Sequence, residues 1–386
     1  MKNENIILYV NNKKEPGIGA DLIDLEVETG LHLASMFKLV LPLVTAKKPG
    51  TLAYLDDYRL QIGNPVAIKV GFGVKTEPIM DGYITHLKPR IEQDPGKCVI
   101  EVWGMDKSIR MDRIEVLKDW PNKKDSDIAA EIFEKYSLKP DIDTTSVVHN
   151  EKVSTIVQRE TDIRFLKRLA ERNGFVCYVE IDTGYFKKPD FSRPHQAELK
   201  FVFGEEGTLK RFSVDVNGVS PTGAKMFQVD RLNKKVMEVK VGKSGQTSLG
   251  RSTPDSLCTS INDSPLVYAG KNAATGKPEM EALCKGMVQE AEMFITARGE
   301  VAGNKLGQII KPGQMVKISG VGEAYTGLYY LSQVTHALNA NGYIQQFEAR
   351  RNALNSVSFG AIAAGTAAVA LTALDFAPTL GRGTGK

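Results

Sequence analysis

The chain has 386 residues, of which 42% are hydrophobic and 25% are charged, and its net charge is +4. This length exceeds what one hydrophobic core usually serves, so we expect two to four domains. Lysine and arginine are scattered among acidic residues instead of forming one basic stripe, which argues against specific nucleic-acid binding.

The N-terminus and the cysteines indicate a cytosolic setting. Residues 1–5 lead into a strand-like segment at residues 6–10 without the apolar core of a signal peptide. The four cysteines, Cys98, Cys177, Cys258 and Cys284, are far apart and form no Cys-x-x-Cys spacing. Such spacing fits reduced, buried thiols better than a disulfide framework.

The first segment, up to about residue 118, is predicted to be rich in strands. Residues 22–28 alternate apolar and charged side chains, and residues 36–42 end at a proline that cannot continue a ladder. Residues 66–72 and 80–85 are typical of a hairpin, and a further strand follows at 98–103. About 110 residues with five or six antiparallel strands predict a barrel or a sandwich.

The next segment is predicted to be a small α/β module at residues 119–200. Asp125 or Ser126 can cap a helix that runs to Tyr136. Thr161 can cap a second helix, and Gly174 is well placed to end it. That second helix carries Phe165, Leu166 and Leu169 on its inner face, with Arg164, Lys167, Arg168 and Arg172 outside.

Strand-like alternation returns from residue 199, at 199–203, 212–216 and 236–241. A polar segment at 242–278 predicts a long exposed loop or one ordered by a partner, and residues 280–293 predict a helix. Beyond residue 355 the chain is rich in alanine and glycine. The predicted domains are therefore 1–118, a first β-barrel; 119–200, the α/β module; 201–355, a second β-barrel; and 356–386, a C-terminal tail.

An internal repeat relates the two predicted β domains. At a constant offset of 250 positions, identical residues recur between residues 61–106 and 311–350: Gly63, Val66, Ile68, Thr76, Thr85 and His86 match Gly313, Val316, Ile318, Thr326, Thr335 and His336. After a loop six residues shorter in the second copy, residues 99–103 align with residues 343–347. A period this long indicates duplicated domains instead of a solenoid. We interpret each of the two histidines, His86 and His336, as making a structural hydrogen bond within its own unit.

Two stretches resemble a known family. The run Gln158-Arg159-Glu160-Thr161-Asp162-Ile163-Arg164-Phe165-Leu166-Lys167-Arg168-Leu169-Ala170-Glu171-Arg172-Asn173-Gly174 resembles the signature helix of the phage late control protein D family, which also occurs in the hub part of type VI secretion spike proteins. Residues 303–316, continuing through 327–330, 334–336 and 342–350, are similar to the C-terminal barrel of that family. Together the similarity covers roughly residues 1–352.

The resemblance implies a baseplate hub of a contractile tail or injection machine. Each subunit would hold two barrels similar to the tail-tube protein, and three subunits would form a ring that adapts a sixfold tube to a threefold spike. It implies assembly in the bacterial cytoplasm into the baseplate of a virion or contractile particle. The implied partners are the tail tube protein, a trimeric spike on a separate chain, baseplate wedge proteins and a tape-measure protein. No enzymatic activity, cofactor, catalytic residue or metal ligand is expected.

The tail is the predicted contact for the spike or another partner. Its candidate residues are Phe359, Ile362, Val369, Leu371, Leu374 and Phe376. Alanine, glycine and threonine dominate this run and Asp375 interrupts it, so a stable membrane span is not expected.

Two alternatives come from other functional classes. A tail-associated envelope hydrolase would need a nucleophile, a base or a carboxylate pair in a recognisable motif, and the sequence provides none. A glycan-binding β protein would expose clustered aromatic side chains, for which Tyr325, Tyr329 and Tyr330 are the densest set. Activity on purified peptidoglycan or binding to glycan arrays would separate both from a hub.

Overall fold

The computed structural model describes residues 4–44, 52–73, 75–152, 155–204, 206–220, 222–230, 233–257, 265–270, 274–340 and 342–355. The strands are β1 (Glu4–Val10), β2 (Lys13–Lys14), β3 (Asp24–Gly30), β4 (Met36–Pro42), β5 (Pro65–Phe72), β6 (Lys75–Arg90), β7 (Val99–Asp106), β8 (Glu115–Trp120), β9 (Lys139–Ile142), β10 (Ile156–Thr161), β11 (Val176–Glu180), β12 (Thr183–Lys187), β13 (Ala197–Lys200), β14 (Leu209–Val216), β15 (Gly223–Val229), β16 (Val236–Val241), β17 (Leu266–Tyr268), β18 (Ile295–Ala302), β19 (Met315–Ser319), β20 (Gly327–Asn339) and β21 (Gly342–Arg351). The helices are α1 (Pro16–Ala20), α2 (Asp125–Lys135), α3 (Asp162–Asn173), α4 (Pro254–Leu257), α5 (Lys277–Glu292) and α6 (Gly303–Leu306), with short 3-10 helices at Tyr58–Leu60, Pro95–Lys97 and Lys107–Asp112.

Thirteen of these strands form one sheet with two halves of the same strand order. The first unit runs β1-β5-β6-β7-β4-β3, with β2 beside β1. The second unit runs β13-β19-β20-β21-β18-β14. The predicted fold class, mainly β with a duplicated antiparallel unit and a small α/β insertion, is therefore confirmed.

The two units differ at their ends. In the first unit β1 pairs antiparallel with β5, whereas in the second unit β13 pairs parallel with β19. A parallel bridge between Phe201 and Leu209 then joins the end of β13 to β14, which brings the second sheet around on itself. β3, the last strand of the first unit, pairs instead with β20 of the second.

The repeated glycines occupy equivalent positions. The Gly63 N–H donates to the Ile84 carbonyl at 2.8 Å, and the Gly313 N–H donates to the Leu331 carbonyl at 2.9 Å. Both glycines have positive φ, 89° and 75°, a conformation that residues with a Cβ rarely adopt. The sequence therefore preserves glycine here because each unit makes the same turn before its first long hairpin.

Each unit encloses its own apolar core. In the first, inward side chains such as Leu25, Val27 and Ile68 are fully buried. In the second, Val316, Ile318 and Val334 are fully buried. Alternation along each strand places these side chains on one face of the sheet, and their burial stabilises each unit by the removal of apolar surface from water.

The α/β part contains the two helices predicted for it. α2 ends one residue before Tyr136, and α3 has Thr161 as its N-cap residue and Gly174 in the left-handed conformation after its last residue. The Thr161 hydroxyl donates to Asp112 at 2.5 Å instead of capping the helix through its side chain. All three predicted inner residues of α3, Phe165, Leu166 and Leu169, are fully buried in a core shared with α2 and β11.

A three-stranded sheet, β16-β15-β17, packs its inner face on α5, which confirms the helix expected near 280–293. The expected loop at 242–278 contains α4 and β17 in its described parts. The six candidate tail residues, Phe359, Ile362, Val369, Leu371, Leu374 and Phe376, lie outside the described residues. Within the described ranges, no helix is both long enough and apolar enough to span a bilayer. The domain boundaries at 118, 200 and 355 stay predictions.

Candidate functional site

The junction between the two units is built on β20, which belongs to both. The first part of β20 pairs with β19, from Gly327 to Tyr330, and the second part pairs with β3, from Gln333 to Leu338. β21 lies along the opposite edge of both parts. The change of neighbour falls at a β-bulge between Leu331 and Gln333, as expected for a feature that bends a strand and redirects it.

The junction is held by backbone and side-chain hydrogen bonds. The Leu31 N–H donates to the Ser332 carbonyl at 3.1 Å, and the Thr29 hydroxyl donates to the Val334 carbonyl at 3.1 Å. The Gln333 amide donates to the Glu28 carboxylate at 2.8 Å. These contacts fix the register, and a shift by one residue would turn the inward side chains outward.

Apolar side chains of the second unit complete the core of the first. Tyr343 of β21 is 3% exposed and belongs to the first core, and Leu338 of β20 packs against that core. They lie over the face on which Leu25 and Val27 are fully buried. The junction is thus a packed extension of the first core as well as a ladder.

His336 lies at the centre of this junction, opposite Val27 of β3. Its Nδ1 is 2.7 Å from the Tyr343 hydroxyl, and the two rings are nearly parallel. Burial lowers the pKa of His336 to about 3, with a smaller contribution from Lys311, so the ring is neutral near pH 7. In this geometry a neutral His336 ring bonds to the Tyr343 hydroxyl inside the junction.

The ladder registers correct two parts of the predicted correspondence. Val66 lies opposite Gly82, and Val316 lies opposite Tyr329, which is 247 positions beyond Gly82. The bulge residues Thr85 and Ser332 are also 247 positions apart. β6 and β20 are therefore equivalent at an offset of 247, whereas β5 and β19 keep the offset of 250. Tyr83 pairs with Met105 and Tyr330 pairs with Arg350, so β7 and β21 are equivalent at an offset of 245, and residues 99–103 match 344–348 instead of the predicted 343–347.

As a result, Thr85 and His86 do not occupy the positions of Thr335 and His336. His86 is exposed beside Thr85, with Nδ1 3.0 Å from the Thr85 hydroxyl, and it is equivalent to Gln333. The position of His336 corresponds to Pro89. The second copy is three residues shorter between the two strands of the hairpin, and the chance identities of threonine and histidine masked this deletion.

Two further candidate features are a metal site and an aromatic cluster. Within those ranges, no group of three or more His, Cys, Asp or Glu side chains is placed to hold a metal ion. In the aromatic set proposed for glycan binding, Tyr329 is fully buried and Tyr330 is 6% exposed. Their stacking faces are therefore inside the protein.

A buried charged network joins the α/β part to α5. His149 Nε2 lies 2.8 Å from Asp125 Oδ1 and its Nδ1 lies 3.8 Å from Glu279 Oε2. Glu279 is also paired with Arg172 and accepts hydrogen bonds from the Thr275 N–H and hydroxyl at 2.6 and 2.7 Å. The side chains of this network come from α2, α3, α5 and the loop before β10, so their contacts join these elements.

A mostly apolar cavity of about 560 Å³ lies near this network. Phe175, Phe191, Met287, Met293 and Tyr330 are among the side chains that line it. An ion pair between Arg350 and Glu290 lies at its wall. The ionisable side chains of His32 and Glu171 also line the cavity.

Comparison with known families gives one match. The sequence profile of a family described as the Alg8 N-terminal domain matches residues 22–340. The chain belongs to this family. The part that matches the Alg8 N-terminal domain runs from just before β3 to just after β20, so it includes both strands of the junction. No curated protein sequence matches the chain.

Solved structures show the same fold at low sequence identity. The 43 kDa tail protein of prophage MuSo2 from Shewanella oneidensis has a TM-score of 0.69 and 13% identity, with 92% of this chain and 100% of that chain covered. The tail protein from Neisseria meningitidis MC58 has a TM-score of 0.64 and 13% identity, with 91% and 97% covered. A chain of the lidded Francisella PdpA–VgrG complex has a TM-score of 0.50 and 11% identity, with 92% of this chain and 54% of that chain covered.

Proposed function

We propose that this protein is the structural baseplate hub of a contractile tail or injection machine. The observation that carries the proposal is the duplicated unit, whose two copies have one strand order and join edge to edge through β3 and β20. Two similar units in one chain allow three chains to present six similar units. Such a ring matches a sixfold tube on one face and a threefold spike on the other, because each contact has to follow the symmetry of its partner.

The fold comparison supports a tail-associated structural role. Two solved structures with high coverage are described as tail proteins, and a third likeness is to a chain of a complex that contains VgrG. The resemblance of residues 158–174 to the late control protein D helix points in the same direction. α3, which carries these residues, is buried on one side and so serves as a structural element of the hub.

In this role the protein is not an enzyme. We infer that it transmits force as a rigid ring on contraction, because a ladder through thirteen strands distributes a load over many hydrogen bonds. The proposed partners are two further copies of the chain, the tail tube protein, a trimeric spike on another chain, wedge proteins and a tape-measure protein. The protein would be assembled in the bacterial cytoplasm and remain in the baseplate.

The first test is the mass of the purified full chain by light scattering, alone and co-expressed with the spike protein of the same particle. We expect a mass of three subunits in at least one condition. A monomer in both conditions, without a complex with the spike, contradicts the proposed function.

The tail is tested separately because its candidate residues lie outside the described residues. We propose that residues 356–386 bind the spike or another partner through Phe359, Ile362 and the later apolar residues. A chain that ends at Asn355 should keep its fold and its number of subunits but should no longer co-purify with the spike. Retention of the spike by the shortened chain contradicts this assignment.

A further inference from the structure

Two strand edges in the described chain lack the neighbour that their equivalents have. β6 pairs with β5 from Lys75 to Tyr83, and beyond that point only β7 lies beside it among the described strands. The equivalent part of β20 is covered by β3. At the other end, β14 is equivalent to β3, yet past the bridge at Leu209 only β18 pairs with it in the described ranges.

The side chains of β14 are also less buried than the equivalent side chains of β3. Val27 of β3 and Val214 of β14 occupy equivalent positions, 187 residues apart. Both are reached by the same three steps across the ladders from the residue before each bulge, Ile84 in the first unit and Leu331 in the second. By the same offset, Leu25 is equivalent to Phe212. Leu25 and Val27 are fully buried because β20 and β21 lie over them, whereas Phe212 and Val214 are only half-buried. The second core therefore lacks the cover that the first core receives.

We propose that the C-terminal part of β6 in one chain pairs antiparallel with β14 of a second copy of this chain, as β20 pairs with β3 within the chain. This inference rests on the proposed function and adds the surface and the register by which the copies meet. Transferring the register of β20 and β3 by the offsets of 247 and 187 places these residues opposite one another: Leu87 and Val216, Lys88 and Asp215, Pro89 and Val214, Arg90 and Ser213, Ile91 and Phe212.

The two edges are complementary in charge and in apolar surface. Lys88 and Asp215 are both exposed and face one another in this register, where the internal junction has Thr335 and Glu28. Ile91 is 56% exposed and would cover the half-buried Phe212, as Leu338 covers Leu25 in the internal junction. Opposite charges and apolar pairs that face one another across strands stabilise a ladder.

One residue distinguishes this edge from the internal one. Pro89 stands where the internal junction has His336, and proline has no N–H, so the pair with Val214 loses one hydrogen bond. Proline at an exposed edge also discourages indiscriminate pairing in the free chain. The contact joins two different surfaces, so it is head-to-tail, and successive contacts either close into a ring or propagate as a filament.

The test is a cysteine cross-link between the two edges of different copies. Lys88 and Asp215 lie between the hydrogen-bonded pairs in this register, where Cα atoms are about 4.5 Å apart and a disulfide can form. A full-length chain with Lys88→Cys and Asp215→Cys, in a Cys258→Ser background, is oxidised and separated under denaturing conditions, alone and with the spike protein. Its mass in solution is measured in parallel. We expect covalent dimers and trimers that disappear on reduction.

Matched variants control for position. The first control, Lys88→Cys with Glu28→Cys, keeps the cysteine on β6 but places the second cysteine on β3 instead of β14. Because β3 is already covered by β20 of its own chain, this variant should give no cross-link between chains. Glu28→Cys with Thr335→Cys should cross-link within one chain and confirms the pairing geometry. Cross-linked species larger than trimers would show an open filament instead of a closed ring of three, and would contradict the hub.

The outcomes separate the two proposals. A trimeric mass without cross-linking of the Lys88→Cys, Asp215→Cys chain contradicts the strand pairing and leaves the hub standing. A monomeric mass in both conditions contradicts the hub itself. Equal cross-linking in the Glu28→Cys control shows random collision and also contradicts the pairing.

Discussion

Thr85 and Ser332 occupy the same position in the two units, each as the extra residue of a β-bulge on the longest strand of its unit. Just before each bulge, Ile84 and Leu331 bond to the glycine turn of their own unit. After the bulge the strand leaves its hairpin partner and presents a new edge. In the second unit this edge is filled by β3, so the bulge marks the point where one unit becomes able to bind another.

Deletion of Ser332 should therefore disrupt the junction. Without the extra residue, Leu331 and Gln333 still pair with Ala349 and Glu348 and the later side chains keep their faces, but the bend that redirects β20 from β19 to β3 is lost. We expect a lower urea midpoint, followed by circular dichroism, because β20 can then no longer pair well with both neighbours. Ser332→Ala is the control, since it removes only the hydroxyl that donates to the Glu348 carbonyl at 3.1 Å, a loss of about 1 kcal/mol. A deletion no more harmful than Ser332→Ala contradicts the role of the bulge.

His336 should make the stability depend on pH. Its pKa is held at about 3 in the folded chain by burial, below its ordinary value of 6.5, so the unfolded chain binds a proton that the folded chain does not. Its contribution is fully present above pH 6.5 and is lost as the pH falls toward 3, by about 1.4 kcal/mol for each pH unit. In His336→Gln, which does not titrate, the free energy of unfolding should fall less steeply over this range.

The measurement is urea denaturation at several pH values between 7 and 4. Other groups also titrate there, so the difference between the two slopes is the quantity of interest. His195→Gln, at an exposed position, should keep the slope of the original chain. Equal slopes for the original chain and His336→Gln would mean that His336 is not held neutral by the fold.

Arg172 should be necessary for the buried network between the α/β part and α5. Its removal in Arg172→Met leaves Glu279, which is 4% exposed, without its cation, and breaking a buried ion pair in this way costs about 3–5 kcal/mol. The second substitution Glu279→Met should recover much of the loss because no charge is then left unpaired. Arg164→Met on the same helix serves as the control, since Arg164 is 65% exposed in its pair with Asp112.

For this network the readout is the urea midpoint of each variant. A similar loss for Arg164→Met and Arg172→Met would indicate a general effect on α3. A double variant less stable than Arg172→Met would show that the side chains contribute by packing and not by charge.

Charge reversal should test the proposed edge without cysteines. Lys88→Glu places two acids opposite each other between copies, and it should weaken assembly several-fold at low salt, since exposed pairs contribute about 0.2–1 kcal/mol each. Adding Asp215→Lys should restore assembly because the pair is then reversed. The mass measured against concentration, at low and at high salt, gives the result. If the Lys88→Glu variant assembles as well as the original chain, the proposed register between β6 and β14 is contradicted.

Local features of the fold were readable from the sequence. Gly174 and the apolar stripe of Phe165, Leu166 and Leu169 predicted both the end and the buried face of α3, because helix caps and periodicity act over a few residues. Gly63 and Gly313 identified the duplication because a left-handed turn constrains residue type.

Long-range features were not readable in the same way. A deletion of three residues within the second hairpin shifted the register, while Thr335 and His336 still matched Thr85 and His86 by identity. The parallel pairing of β13 with β19 and the contact of β3 with β20 join residues more than 100 positions apart, and strand patterns do not specify which edges meet. The buried network of His149, Asp125, Arg172 and Glu279 depends on the same kind of distant contact.

The sharing of β20 has a consequence for how the duplication can be divided. A segment cut out to contain only one unit would either leave Leu25 and Val27 open to water or carry a long strand with an open edge. Neither half is therefore expected to behave as an independently folding module, although each retains a complete strand order. The strand that belongs to both units therefore couples the folding of one to the folding of the other.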